Sequence, residues 1–399
     1  MDRETLIKRN IIMTQAFHKQ RYRHHIRRHL LKLFKLIPIP TARTQSKRIL
    51  LLCPDHLGDV LLRSPAIQLL KEKRPDLEIH VLVGEWSASV LANYDEIDQL
   101  LSFNYPGFER NTRNRNPFSP YIKLFKTARQ LRKIAYSGAI VMRPDHWWGA
   151  ILIYLAGIPI RVGYHLNELK PFLTEAIPHH HEHSVLQNVR LIESFTEPID
   201  RDEVVLNFPV SLDDQNFAKQ YLSEIGLDPD EKVICIHPGS GAIIKLWENE
   251  KWAEFADTLA EELPAKIIFT GTKNERSLIN SIVEQMKQAA YLAVGNTHLG
   301  QLAALYQSAD LVVGPDSGPL HLAVAVKTAS VTLFGPADEI EFGPWGNPNK
   351  HQIVYANLLC RPCRILDWGN DPIENHPCMR DISVASVLQA SRNALRAEI

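Results

Sequence analysis

Several things are scarce in this chain, and most of these scarcities remove a class of protein. Five cysteines in 399 residues are too few for a disulfide framework, which points to a reducing compartment. No apolar run reaches the roughly 18–20 residues needed to cross a bilayer. The N-terminus also lacks the apolar core and small-residue cleavage site of a secretory signal, so the expected location is cytoplasmic. Net charge is missing as well, with 45 Lys/Arg against 45 Asp/Glu. What remains is 45% hydrophobic and 23% charged, the composition of a globular protein long enough for two domains.

The zero net charge conceals an asymmetry. Residues 1–48 hold thirteen lysines and arginines and two acids, Asp2 and Glu4, leaving 32 bases against 43 acids in the rest. Within this leader Ile26, Leu30, Leu33, Phe34 and Ile37 recur at helical spacing, while Arg27, Arg28, Lys32 and Lys35 lie largely on other faces. That pattern fits either an interfacial helix at an anionic membrane surface or a solvated arm. Nucleic acid is not expected as a partner, because Phe17, Tyr22 and Phe34 are the tail's only stacking residues.

From residue 48 onward, β-branched and leucine-rich runs alternate with helical segments. Strands are expected at Arg48–Cys53, Glu78–Val83, Ile97–Phe103 and Ala139–Met142, and helices at Leu57–Lys73, Tyr121–Ile134, Trp147–Ala156 and Val185–Phe195. Pro171–His183 interrupts the pattern, and a boundary is expected within 205–230. A second alternation follows, with strands at Val233–His237, Lys266–Thr270, Tyr291–Val294, Leu311–Val313 and Ser330–Phe334. Helices are expected at Asn249–Glu262, Asn274–Lys287, Leu299–Ser308 and Pro319–Val326. The class is therefore α/β, two doubly wound Rossmann-like domains with a cleft between them. A last helix near Val384–Arg396 is a candidate to pack back across the first domain.

In such sheets ligands collect at the carboxyl ends of the strands. Three loops of the second half carry glycine there: Ile236-His237-Pro238-Gly239-Ser240-Gly241, followed by Lys245; Gly314-Pro315-Asp316-Ser317-Gly318-Pro319-Leu320-His321; and Phe334-Gly335-Pro336. Small residues let backbone N–H groups approach an anion, and a helix starting at Pro319 offers unpaired donors to a phosphate. Each loop alone reads as a tight turn; together they point to a nucleotide or sugar nucleotide. In the first half, Asp59 of Leu57-Gly58-Asp59 follows the first strand, and by itself it is either a dipole-favoured helix acid or a catalytic carboxylate.

The stretches ILLLCPDHLGDVLLRSPAIQLLK, IHPGSGAIIKLWENEKWAEFA, FTGTKNE and GPDSGPLHLAVAVKTASVTLFGP resemble successive blocks of glycosyltransferase family 9, the lipopolysaccharide heptosyltransferases. The resemblance covers most of residues 48–346 and implies a GT-B fold. It implies transfer of heptose from ADP-heptose to an anionic lipopolysaccharide core, with inversion and without a metal or other cofactor. It assigns Asp59 as catalytic base and Lys245 as the lysine at the donor phosphates. Glu275 would hold the ribose, Asp316 would contact the donor, and Gly239, Ser240, Ser317, Gly318 and His321 would surround the phosphates. For His321, capping or packing within its helix stands beside that role. The implied division is a basic tail over 1–47, an acceptor domain over 48–210, a donor domain over 211–380 and a C-terminal helix over 381–399.

An anionic acceptor needs cations. Residues 109–133 carry Arg110, Arg113, Arg115, Lys123, Lys126, Arg129, Arg132 and Lys133 with Glu109 as their one acid, and Arg63 and Arg143 are further candidates. The alternative for such a run is a solvated face. The tract His179-His180-His181-Glu182-His183 sits in an irregular segment and is not expected to bind metal. Cys360, Cys363, His376 and Cys378 have a spacing that either a zinc site or plain packed thiols would permit. Two competing functions stand on the same architecture. A sugar-nucleotide epimerase or hydrolase would need no basic acceptor surface, and a non-catalytic binding protein would not need Asp59 and Lys245 together.

Overall fold

The computed structural model describes residues 2–19, 34–36, 38–41, 45–108 and 118–397. Of the candidate interfacial segment, Ile26, Arg27, Arg28, Leu30, Lys32, Leu33 and Ile37 lie outside the described residues, as do Arg110, Arg113 and Arg115 of the basic run. The chain forms two compact units that divide between Val205 and Leu206, the helix Arg3–Lys19 belonging to the second.

The first unit is built on six parallel strands: β1 (Arg48–Cys53), β2 (Glu78–Gly84), β3 (Gln99–Phe103), β4 (Gly138–Val141), β5 (Ile160–Tyr164) and β6 (Glu175–Ile177). Their order is β3-β2-β1-β4-β5-β6. Ile49 to Cys53 are all buried, as a central strand covered by helices on both faces requires. The second unit repeats the plan with β7 (Lys232–Ile236), β8 (Ala265–Gly271), β9 (Ala290–Val294), β10 (Leu311–Pro315), β11 (Ser330–Phe334) and β12 (His351–Tyr355), ordered β12-β11-β10-β7-β8-β9. In each sheet two neighbouring strands send the chain off in opposite directions. These are β1 with β4 and β7 with β10, and a crevice opens at their carboxyl ends.

Several elements differ from the sequence reading, each for a physical reason. The single helix expected over Leu57–Lys73 is two, Leu57–Leu61 and Ser64–Lys73. Pro65 has no N–H for the Leu61 carbonyl, and the Ser64 hydroxyl donates to that oxygen instead at 2.9 Å. The interrupted segment 171–183 contains β6, a three-residue edge strand too short for a periodic signal. Within the boundary region lies a full helix, Leu212–Glu224, whose N-cap Ser211 accepts from the Asp214 amide. The last helix, Val384–Arg396, packs against β10, β11, β12 and the helix Asn249–Glu262 of its own unit. The helix Arg3–Lys19 is fastened to that unit by Arg3 to Asp381 at 2.6 Å, Arg9 to Asp371 at 2.5 Å and buried Leu6.

The helix Ser119–Ile134 ends on Ala135 in the left-handed conformation, at φ 58° and ψ 53°. A Cβ there meets the following carbonyl, which glycine avoids. Ala135→Gly should therefore stabilise the first unit by about 1 kcal/mol, read as a higher denaturant midpoint with an unchanged slope. A lower midpoint would show that the turn is not strained.

Candidate active site

In the second unit, the loop after β7 and the start of the helix after β10 meet at the switch point. Lys245 ends a short 3-10 turn, Ile243–Lys245. Its ammonium donates to Asp316 Oδ2 at 2.5 Å and to the Asp316 carbonyl at 3.2 Å. The pair is nearly buried, at 13% and 5% side-chain exposure. An ammonium has three N–H donors and Asp316 takes two, which leaves a cation whose position is set from behind. His321 Nε2 lies 3.9 Å from Asp316 Oδ1, a charge contact beyond hydrogen-bond length. Burial holds His321 below the ordinary imidazole range; Asp316 opposes that shift and Lys245 adds to it.

Ser317 caps the helix Gly318–Ala325 in extended backbone, but its side chain makes no cap bond. Its Oγ is buried without a hydrogen-bond partner. An orphaned hydroxyl beside a helix N-terminus and a fixed lysine is the donor set that a phosphate group satisfies. Gly314 lets this turn pass β7, since a Cβ there would stand 2.4 Å from the His237 carbonyl oxygen.

Gly239 and Glu275 are also brought together. A Cβ on Gly239 would sit 2.0 Å from Glu275 Oε1, so glycine is the residue that admits this carboxylate. Glu275 Oε2 accepts from the Thr272 amide at 2.7 Å and the Thr272 hydroxyl at 2.8 Å, leaving Oε1 turned to the loop. Ser240 is half-buried, and its Oγ accepts from the Ala242 amide at 3.4 Å. Behind the loop runs a buried chain that the sequence reading missed: His237 to Thr270 at 3.1 Å and Thr270 to Tyr306 at 2.8 Å. His237 and Thr270 fall within the family-like stretches, but Tyr306 does not, and the members stand far apart in sequence, so only the fold shows that they are linked.

The first unit has a matching junction. Asp59 lies in the first turn of Leu57–Leu61 and is half-buried. Arg63, four residues on, is 4% exposed; burial opposes its charge, but Asp55, with smaller shares that include Asp59, outweighs burial and raises its pKa. The centre, however, is Asp55, a residue not singled out from sequence. It is 1% exposed; Arg63 Nη1 lies 2.5 Å from Oδ2, in a charge contact without hydrogen-bond alignment, and Arg143 Nη1 donates to Oδ1. Burial opposes ionisation of Asp55, but Arg63 and Arg143 outweigh it and hold the carboxyl below its usual range. The signal was present as an acid two residues beyond a strand that is apolar after Arg48, yet only the fold brings Arg143, beyond β4, to meet it.

Not every predicted residue joins these sites. On the helix Ser119–Ile134, Lys126, Arg129, Arg132 and Lys133 are exposed, while Lys123 donates to the Asn104 carbonyl and Arg132 to that of Pro40. Cys360, Cys363, His376 and Cys378 line one small pocket of the second unit. Burial pushes the Cys378 thiol up to about 12, and His376 is bonded to Asp371 at 2.7 Å. Among the described residues, no group of His, Cys, Asp or Glu is arranged to hold a metal ion.

His146, after β4, is 4% exposed and has neither ring nitrogen hydrogen-bonded. Burial lowers its pKa to about 3, against the pull of Asp55. The unfolded chain takes up a proton near pH 6.5 that the folded unit refuses until about pH 3. Stability from this group is thus complete above pH 6.5 and declines as pH falls below it. His146→Phe should shallow the fall in melting temperature between pH 7 and 5, measured by calorimetry; an unchanged slope would assign the acid sensitivity elsewhere.

Comparison with known proteins matches residues 124–367 to the model of glycosyltransferase family 9 (heptosyltransferase). Lipopolysaccharide heptosyltransferase 3 of Escherichia coli K12 is 27% identical over 315 residues, covering 77% of this chain and 88% of that protein. The crystal structure of the glycosyl transferase family 9 from Veillonella parvula aligns with a TM-score of 0.72 at 22% identity, covering 90% of this chain and all of the other. E. coli ADP-heptose lps heptosyltransferase II aligns at 0.68 and 20% identity, over 88% and 99%. The units are the two Rossmann-like domains of a GT-B fold, and the chain belongs to glycosyltransferase family 9.

Proposed function

We propose that this glycosyltransferase moves a heptose, or a closely related sugar, from ADP-heptose to a lipopolysaccharide core or similar anionic glycolipid, with inversion and without a metal. The observation that carries the reading is the Lys245–Asp316 clasp beside the orphaned Ser317 hydroxyl, at a switch point of a doubly wound sheet. The sequence relationship to lipopolysaccharide heptosyltransferase 3 supports the sugar and acceptor class.

The chemistry follows from charge. As the bond between the anomeric carbon and the diphosphate oxygen breaks, negative charge grows on the pyrophosphate. Lys245, the Ser317 hydroxyl and the Gly318 amide supply fixed donors for it, without reorganising at the moment of reaction. Glu275 Oε1 accepts from the ribose hydroxyls. Asp59 takes the proton of the acceptor hydroxyl as that oxygen attacks the face opposite the leaving group, so one bond forms, one breaks and configuration inverts. Asp316 keeps Lys245 aimed. A glycolipid acceptor sets the reaction at a membrane surface, and the thirteen cations of residues 1–48 support contact with an anionic leaflet. No helix among the described residues is long and apolar enough to cross a membrane.

The test is a panel of nucleotide sugars incubated with and without core oligosaccharide, read by product mass. ADP-heptose should be consumed only when acceptor is present. Equal consumption without acceptor would make the protein a hydrolase. Asp59→Asn should lower kcat by about 10²–10⁴ with donor affinity retained; full transfer by this variant would remove Asp59 as the base. Lys245→Ala should cost about 10²–10³ in kcat.

A further inference from the structure

The helix Ser119–Ile134 has an outer face that contact with water alone does not explain. Leu124, Thr127, Ala128 and Leu131 are buried and turn its inner face to the first unit. A solvated helix carries polar residues on the opposite side. Here Phe118 at the N-cap, Ile122 and Phe125 recur there at helical spacing and are 68%, 63% and 48% exposed. Arg129 continues the row, with Lys126 and Lys133 beside it, and all three cations are exposed. Residues 118–135 contain no acid to pair with them.

A second apolar segment borders this face. Phe34 of the basic leader stacks on Tyr121, at 6.1 Å and 9° between rings, and meets Phe125 at 6.2 Å. Tyr154 donates to the Lys35 carbonyl at 3.4 Å and Arg132 to that of Pro40 at 3.1 Å, which ties the segment to the first unit. Next to Phe34, Lys35 and Leu36 are exposed, Leu36 at 77%. Apolar side chains in a contiguous exposed patch mark an interaction surface, unlike single ones. A soluble anion would use the cations and gain nothing from Phe118, Ile122 or Leu36. A second copy of the chain would bring the same cations against themselves. An anionic lipid surface uses both, its headgroups pairing with lysine and arginine while apolar side chains enter the acyl boundary.

We propose that the outer face of Ser119–Ile134, with Lys35 and Leu36, is the surface by which the first unit docks on an anionic lipid bilayer. Phe118, Ile122 and Leu36 enter the boundary between headgroups and acyl chains, and Lys126, Arg129 and Lys133 meet the headgroup phosphates. Contact is thereby carried by a folded helix of the body and not by the charge of the leader alone. These three cations then hold the membrane, not the acceptor's sugars. The inference rests on the transferase reading for one point, that a glycolipid acceptor brings the enzyme to a bilayer; docking itself is measured without donor or acceptor.

Co-sedimentation of the full chain with vesicles tests it, using phosphatidylcholine alone and an equal mixture of phosphatidylcholine and phosphatidylglycerol. The mixed vesicles should bind at least about tenfold tighter than the neutral ones. Ile122→Ser should weaken binding to the mixed vesicles by about tenfold, and Lys126→Gln by about fivefold. Both side chains are exposed, so the variants are expected to fold; their melting temperatures verify this. Excess lipid-free core oligosaccharide should leave the protein on the vesicles. Four results overturn the proposal. Unchanged binding by Ile122→Ser would leave the leader as the contact, and equal binding to neutral vesicles would remove the anionic surface. Release by free oligosaccharide would make the face an acceptor site, and a sedimentation coefficient altered by Ile122→Ser without vesicles would make it a contact between copies. Failure of the transferase reading would show instead as absence of transfer by the unmodified enzyme, with vesicle binding intact.

Discussion

Each unit depends on an ion pair that crosses its switch point. In the first, Asp55 beyond β1 holds Arg143 beyond β4; in the second, Lys245 beyond β7 holds Asp316 beyond β10. The carboxyl ends of neighbouring parallel strands diverge there, and the loops above them have no ladder to hold them. A charge pair with both members largely withdrawn from water supplies the missing constraint. Breaking one would strand the other in a low dielectric at a cost of about 3–5 kcal/mol, so these loops keep one arrangement.

The two clasps are mirror images in charge. On the first strand–loop Asp55 is the buried member and arginines are recruited to it; in the second unit the cation is on the first loop and the acid follows the returning strand. The consequence is chemical. Lys245 is held by one carboxylate and keeps a donor for a diphosphate, whereas Arg143 is held between one buried and one exposed carboxylate. The same fold, duplicated, thereby offers one pocket with a fixed lysine donor and one whose arginine edge is already occupied by an exposed internal carboxylate.

Legibility in the sequence followed burial. Arg48–Cys53, Asn249–Glu262 and Ser330–Phe334 coincide with the expected elements because central strands and one-sided helices carry strong apolar patterns. β5, β6 and β12 were not legible: β5 and β12 are short strands with partly exposed residues, and β6 is only three residues long. Lys245, Asp316, Ser317 and Glu275 were found through glycine-bearing loops and family resemblance. Asp55 and His146 were not, since each looks ordinary until the chain closes.

By itself the sequence determined the alternation of strand and helix, the duplication, the family and the loops that carry glycine, since these depend on neighbours within a few residues. Tertiary structure alone decided which charges meet: Arg143 stands 88 residues from Asp55 and Asp316 stands 71 from Lys245. Spacing along the chain carries no information about such pairs, because a parallel sheet joins strands through crossovers of variable length. It also decided that Arg63, an apparent acceptor ligand, is buried against an aspartate. The energy of a charge is set by what surrounds it in space, and that is known only once the sheet has formed.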